Sequence, residues 1–332
     1  MSRWRGFVAV AVAAVLLSLG AQFLSAARAV SGNTTEALFE IRKGDGVRVV
    51  ARRLREAGIL DWPTWFVYQA HWKGVAQKLK FGEYVIPPQL TIDQVLALFA
   101  SGKTRRHALT IVEGWNIDQL LTALNEHPAL EHRLAGQTRE GLLAALGVAG
   151  GHPEGRFFPD TYVFDKGYRD IELLKRALEK MDVLLAAEWQ GRQEGLPYSS
   201  PYEALILASI VEKETAVAAE RPQVAGVFTR RLRRGMRLQA DPTVIYGMGA
   251  AFRGDITRKA LLQDTPYNTY TRAGLPPTPI ALPGLASLRA ALHPDPGDSL
   301  YFVAAGDGSH VFSSTLSEHE RAVAAFLKKR HE

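Results

Sequence analysis

Leu207-Ala208-Ser209-Ile210-Val211-Glu212-Lys213-Glu214-Thr215-Ala216 forms the centre of a nearly continuous helical run from Tyr202 to Ala219. The pattern predicts one helix over that whole stretch. At ~100° per residue, Leu207, Ile210, Val211, Val217 and Ala218 fall within about 60° of Glu214. Glu212 falls on the far side, with Leu205, Ala208 and Ala216. An apolar setting disfavours the charged form of a carboxyl and raises its pKa. A general acid working near neutral pH needs that shift. Glu214 is therefore the candidate proton donor and Glu212 a structural group. The competing reading is a buried Glu214 paired with one of the many arginines.

Downstream, polar and aromatic residues crowd together. Arg237-Leu238-Gln239-Ala240-Asp241-Pro242-Thr243 is followed by Tyr267-Asn268-Thr269-Tyr270 and by Gly274-Leu275-Pro276-Pro277-Thr278-Pro279-Ile280. Amides and hydroxyls beside aromatic rings suit a sugar site, with hydrogen bonds to the substituents and a ring face on the pyranose. Gln239, Asn268 and Tyr270 are candidates for orienting a sugar and stabilising charge. Asp241 precedes a proline and reads as a turn former, or as a second carboxylate if it faces the site. Arg230, Arg231, Arg233, Arg234 and Arg237 read as a solvated helix face, with acidic glycan substituents or lipid headgroups as the other reading. Leu300–Val303 and His310–Phe312 read as paired strands across Gly306-Asp307-Gly308, and Leu316–Lys329 as a helix packed on them.

Upstream, Ile171–Trp189 reads as a long amphipathic helix. Gly147–Gly155 is rich in structure breakers and reads as a boundary. The N-terminal half repeats one layout three times. Phe39–Val47, Tyr84–Ile92 and Leu109–Ile117 each give a β-prone run, a turn and the start of a helix. Gly46, Thr91 and Asn116 stand at the matching N-cap position. Apolar residues follow at helical spacing: Val47, Val50, Ala51, Leu54; Ile92, Val95, Leu96, Phe99; Ile117, Leu120, Leu121, Leu124. With a second helix near 62–71 and a strand near 81–86, the first copy resembles a LysM-type glycan-binding module, the equal alternative being a small α+β packing domain with no ligand. Trp62, Trp65 and Trp72 are then either sugar-stacking or core residues.

Phe7–Ala27 carries no charged side chain. About 21 residues suffice to cross a ~30 Å hydrocarbon layer. Arg3 and Arg5 precede it and favour a cytoplasmic N-terminus. Ala27-Arg28-Ala29 offers the rival reading of a signal-peptide cleavage site, but the run is longer than a usual signal core. The 332 residues are 47% hydrophobic and 22% charged with a net charge of +6, which excludes a collagen-like, disordered or multispanning chain and does not indicate nucleic acid. The absence of cysteine excludes disulfides, thiol nucleophiles and Cys metal sites. The nine histidines follow no metal pattern and no phosphate-binding loop is present, so no cofactor is expected.

Taken together, Ala208–Ala216, Gly235–Gly247, Tyr267–Tyr270, Gly274–Pro277, His293-Pro294 and Glu154–Tyr162 resemble the MltG-type endolytic murein transglycosylases, the YceG-like family. The resemblance implies cleavage within peptidoglycan glycan strands, between N-acetylmuramic acid and N-acetylglucosamine, without added water and leaving 1,6-anhydro ends. It maps the catalytic acid to Glu214 and sets Thr215 beside it as in the Glu-Ser pair of other lytic transglycosylases. It implies a single-pass inner-membrane protein acting in the periplasm, ending glycan growth near class A penicillin-binding proteins. The expected fold is α+β: cytoplasmic residues 1–6, a transmembrane helix at 7–27, a linker at 28–37, a LysM-like module at 38–107, a connecting β–helix subdomain at 108–150 and a catalytic domain at 151–332. The alternatives are a non-catalytic peptidoglycan-binding scaffold and a glycan hydrolase using Glu214 with Asp241.

Overall fold

A computed structural model of the chain describes residues 31–331, with Ala14, Ser18 and Ala21 before them, and side chains as far as Lys328. Apart from those three positions, the expected membrane helix at 7–27 lies outside the described residues. Among the described residues, no helix is long and apolar enough to cross a membrane. The chain is mixed α+β and divides into two compact units. One runs to His107 and includes 163–167; the other holds 108–162 and everything from 168 onward.

In the first unit, β1 (Ala37–Ile41), α1 (Val47–Glu56), α2 (Pro63–Trp72), β2 (Gly82–Ile86) and α3 (Ile92–Ser101) follow in order. β1 and β2 pair antiparallel with Phe39 opposite Tyr84. Helices α1 and α3 begin where the repeated pattern puts them. Gly46 and Thr91 are their N-caps, and Thr91 closes a reciprocal capping box with Gln94. The two helices bury Val47, Val50, Ala51, Leu54 and Ile92, Val95, Leu96, Phe99. Phe99 packs against Tyr84 at 4.8 Å and Phe39 at 5.8 Å between ring centroids. Trp62 and Trp72 are 41% and 75% exposed and so lie outside this core; Trp65 is partly buried and stacks on Tyr68.

β3 (Arg106–Thr110) and β5 (Thr161–Asp165) carry the chain from one unit to the other and back. The third copy of the repeat opens the second unit. Its helix α4 (Ile117–Glu126) is capped by Asn116 in a capping box with Gln119. Short strands β4 (Leu130–Glu131) and β6 (Tyr168–Arg169) pair in parallel around α5 (Arg139–Ala145). Buried Asp170 accepts the N–H groups of Arg133 and Leu134 at 3.0 Å each. The glycine-rich Gly147–Gly155 stretch lies inside this unit, because Glu154 at its end accepts the Ile117 N–H at 3.1 Å.

The rest of the unit comprises α6 (Asp170–Gln190), α7 (Pro201–Glu214), α8 (Arg221–Arg233), α9 (Asp241–Met248), α10 (Arg258–Leu262), α11 (Leu285–Leu292), β7 (Tyr301–Ala304), β8 (His310–Ser313) and α12 (Leu316–His331). β7 and β8 form an antiparallel hairpin with Phe302 opposite Phe312, and α12 packs on it. Helix α7 is buried on every side from Ala204 to Val211 between α6, α8 and α11, as expected of a helix apolar all round. Its one buried hydroxyl, Ser209, donates to the Ile206 carbonyl and accepts the Ile280 N–H.

One expectation fails in this unit and one holds only in part. The helix predicted over 202–219 ends at Glu214, because Thr215 is extended (φ −139°, ψ 131°). The Thr215 hydroxyl accepts the Val217 N–H and donates to Glu220, a local bonding pattern that competes with helix propagation. The arginine cluster is a solvated face only in part: Arg233, Arg234 and Arg237 are exposed, while Arg230 is half-buried and Arg231 buried. Arg230 bonds the Ser299 and Asp295 carbonyls, Arg231 those of Leu300 and Leu238, and Arg233 that of Gly195.

Candidate active site

The end of α7 meets a cavity of about 380 Å³ within the second unit. Glu214 forms one wall. Phe228 and Arg231 come from α8, Leu238, Gln239 and Asp241 from the approach to α9 and its first residue, and Tyr270 from the loop after α10. The β7 residues Phe302, Val303 and Ala304 face them, with His310 from β8 and His319 from α12.

Among the described residues, no protein group hydrogen-bonds the Glu214 carboxyl. Burial pushes its pKa up to about 8; the negative charge of Asp241 adds to the rise and the cation of Arg231 opposes it. The direction is the one the apolar pattern predicts. The neighbours are not: Val217 and Ala218 leave the helix, and Phe228, Leu238 and Phe302 supply apolar wall from elsewhere in the chain. Glu212, on the other side of α7, accepts the Gly284 N–H at 2.9 Å and an Arg221 N–H at 3.3 Å. A side chain at position 284 would meet the Glu113 carboxylate, which would have to swing aside.

Of the polar residues singled out in the sequence, three line the cavity. Asp241 stands at the first turn of α9, and Tyr270 donates its hydroxyl to Asp241 Oδ1 at 2.5 Å. Gln239 holds a left-handed backbone (φ 53°), and its Oε1 accepts from Arg231 at 3.1 Å. The other two do not reach the cavity. Asn268 is 1% exposed; its amide nitrogen donates to the Ala260, Leu261 and Gln263 carbonyls, and its oxygen accepts the Tyr270 N–H at 2.8 Å. With both amide hydrogens taken up by backbone carbonyls and its oxygen buried, it sets the Tyr270 loop rather than facing the cavity. Thr215 is 3% exposed and turns the chain after α7.

Sequence reasoning missed Arg231, His310 and His319 as members of the site. Arg231 is buried, and burial lowers its pKa while Tyr301, Tyr270 and Glu214 raise it. A signal for it existed: it continues the buried series Val224, Phe228 on α8, where a cation is out of place. His310 Nδ1 lies 2.7 Å from Glu220 Oε2, and the His310 N–H donates to Glu220 Oε1 at 2.9 Å. The His319 ring stacks on Tyr301, 5.2 Å between centroids, and its Nδ1 is buried without a partner. Among the described residues, no group of three or more His, Asp or Glu side chains is arranged to hold a metal ion.

A carboxyl that holds its proton at neutrality, beside an acceptor-rich wall and a buried cation, defines an acid-bearing polar cleft in an α+β scaffold. The chain belongs to the YceG-like family, whose sequence profile matches residues 39–325. It is 31% identical over 309 residues to the endolytic murein transglycosylase of Bacillus subtilis (strain 168), covering 88% of this chain and 85% of that protein. It is 26% identical over 331 residues to the endolytic murein transglycosylase of Streptococcus pneumoniae serotype 2, covering 87% of this chain and 58% of that protein. A crystal structure of a YceG-like protein from Listeria monocytogenes superposes with a TM-score of 0.56 at 30% identity, covering 87% of this chain and 99% of that one.

Proposed function

We propose that this protein is an endolytic lytic transglycosylase of peptidoglycan, a lyase that cuts MurNAc-β-1,4-GlcNAc bonds within glycan strands and leaves 1,6-anhydro-MurNAc ends. The observation that carries this reading is the Glu214 carboxyl, raised to about 8 and free of hydrogen bonds at the wall of the cavity. At neutral pH it holds a proton to give, and nothing in the protein competes for it. Glu214 protonates the bridging oxygen as the glycosidic bond breaks. The muramoyl ring gains oxocarbenium character, and its own C6 hydroxyl closes on C1. That nucleophile is tethered to the reacting centre, so its effective molarity is high and no activated water is needed. In the one-carboxylate scheme the ionised Glu214 then takes the C6 proton. Gln239, Asp241 and Tyr270 orient the sugar. The relatives named as murein transglycosylases support the substrate class.

The testing experiment is mass spectrometry of uncrosslinked glycan strands after incubation with the protein. Anhydro-terminated fragments are expected. Reducing ends would favour a hydrolase pairing Glu214 with Asp241, a reading supported by the fact that both carboxylates line one cavity. No fragments would favour a binding scaffold.

We further propose that 7–27 spans the inner membrane with the N-terminus cytoplasmic, and that the remainder works in the periplasm next to class A penicillin-binding proteins, ending nascent strands. The uncharged run behind Arg3 and Arg5 supports the anchor. The strand–helix–helix–strand order of 37–86 and the exposure of Trp62 and Trp72 support a LysM-like, glycan-binding first unit.

A further inference from the structure

The reaction moves two protons at two different oxygens. One goes to the bridging oxygen and one leaves the C6 hydroxyl. A single carboxyl must do these in turn; two groups can do them in one transition state. The cavity holds a second group built for proton transfer. His310 is gripped twice by Glu220: its backbone N–H donates to Oε1 at 2.9 Å, and its Nδ1 meets Oε2 at 2.7 Å. Glu220 Oε2 also accepts from the hydroxyl of Thr215, the residue after Glu214, at 3.3 Å. Burial raises the Glu220 pKa, while the hydrogen bonds from the His310 ring and backbone and from Thr215 lower it, and the net direction is below its ordinary value. An ionised carboxylate only accepts, so His310 Nδ1 must be the donor. In its neutral form the ring carries its lone pair on Nε2. Among the described residues Nε2 has no protein partner, and the ring lines the same cavity as Glu214.

We propose that His310, oriented by Glu220, is the base of this reaction: its Nε2 takes the C6 hydroxyl proton while Glu214 gives its own to the leaving oxygen. The C1–O bond to the departing sugar breaks and the C1–O6 bond forms. The glycosidic oxygen leaves as a hydroxyl carrying the Glu214 proton, and His310 leaves the step as imidazolium beside the Glu214 carboxylate. Transfer of one proton from His310 to Glu214 through solvent resets both. Glu220 is a positioning residue: from 2.7 Å away it fixes the tautomer and the orientation of the ring. His319, the other histidine on the cavity, lacks such a carboxylate and its ring is stacked on Tyr301. The remaining charged and titratable groups around the cavity are Arg231, Asp241 and Tyr270.

This inference rests on the transglycosylase reading and changes one step of it. The test is glycan-strand cleavage by the full chain carrying His310→Ala, with and without free imidazole, beside Glu214→Gln. His310→Ala is expected to lower kcat about 100-fold or more with KM little changed. Added imidazole is expected to restore turnover, with anhydro ends as product, and to do nothing for Glu214→Gln. Rescue separates proton transfer from a structural role. A folded His310→Ala protein with near wild-type kcat, or one that imidazole does not rescue, overturns the proposal and leaves the Glu214 reading standing. Activity retained by Glu214→Gln would instead remove the parent reading. Should His310→Ala not fold, Glu220→Gln decides: a roughly tenfold fall in kcat at constant KM supports the proposal, and an unchanged kcat overturns it.

Discussion

Glu154 and Glu214 lie in the same unit, and burial raises both, to about 7 and about 8. Yet the two carboxyls live differently. Glu154 is fully buried; the Ile117 N–H spans both its oxygens at 3.1 and 3.3 Å, and the Tyr246 hydroxyl donates to it at 2.9 Å. The turn behind it is fixed by Gly155, which has φ +80° and sits against the Pro279 ring. Among the described residues, Glu214 has no hydrogen-bond partner, and it opens on a cavity. A raised pKa therefore does not by itself distinguish a working acid from a structural one. What separates them is where the lone pairs go: into the scaffold at 154, toward a guest at 214.

The largest effect that sharpens this contrast is Glu214→Gln. Turnover is expected to fall about 1,000-fold or more, with the thermal midpoint held or slightly raised because a buried ionisable group has gone. Mass spectrometry of released fragments and a thermal melt check the two halves. A large loss of stability would make Glu214 a structural group like Glu154 and break the comparison.

The second effect is on pH. Glu214 acts as an acid only while protonated, so the rate should hold at neutrality and fall as pH rises through about 8. Above that point the fall is about tenfold per unit while the protonated fraction limits the rate. Glu154→Gln should leave that limb in place.

Next comes Glu154→Leu, which strands the Ile117 N–H and the Tyr246 hydroxyl. It should cost about 2 kcal/mol in urea denaturation. Glu154→Gln keeps an acceptor and should cost less. It should also flatten the pH dependence of stability. The native Glu154 is held above its ordinary 4.5, so the folded state binds the proton more tightly. Stability at this group then declines as pH climbs from about 4.5 to about 7 and levels off above. The smallest effect is Tyr246→Phe, which removes one donor from Glu154. A loss of about 1 kcal/mol is expected, with the carboxyl pushed further up because a bond favouring its charged form is gone.

Local rules read much of this molecule correctly. Gly46, Thr91 and Asn116 start three helices because a cap is a matter of four adjacent residues. The raised pKa of Glu214 is legible for the same reason, since apolar periodicity is also local. The same periodicity carried the helix too far, since Thr215 ends it through hydrogen bonds to Val217 and Glu220 that the hydrophobic pattern does not encode. Asn268 lies away from the cavity for a related reason. Its residue type suits a sugar, but three carbonyls between 260 and 263 had already claimed its amide. His310 lies 96 positions from Glu214 on a strand whose neighbours look ordinary. Only the folded hairpin brings it to the cavity, and only Glu220 gives it a tautomer.

The early stop of α7 matters beyond its length. The closing carbonyl groups of a helix lack partners inside it, and together they amount to roughly half a negative charge at that end. This fixed dipole favours the proton-loaded carboxyl over the bare anion. In the proposed reaction, a sugar ring turning cationic beside Glu214 would be stabilised by the same field. One backbone terminus thus biases acid and intermediate in the same direction, without requiring a second charged side chain for the purpose.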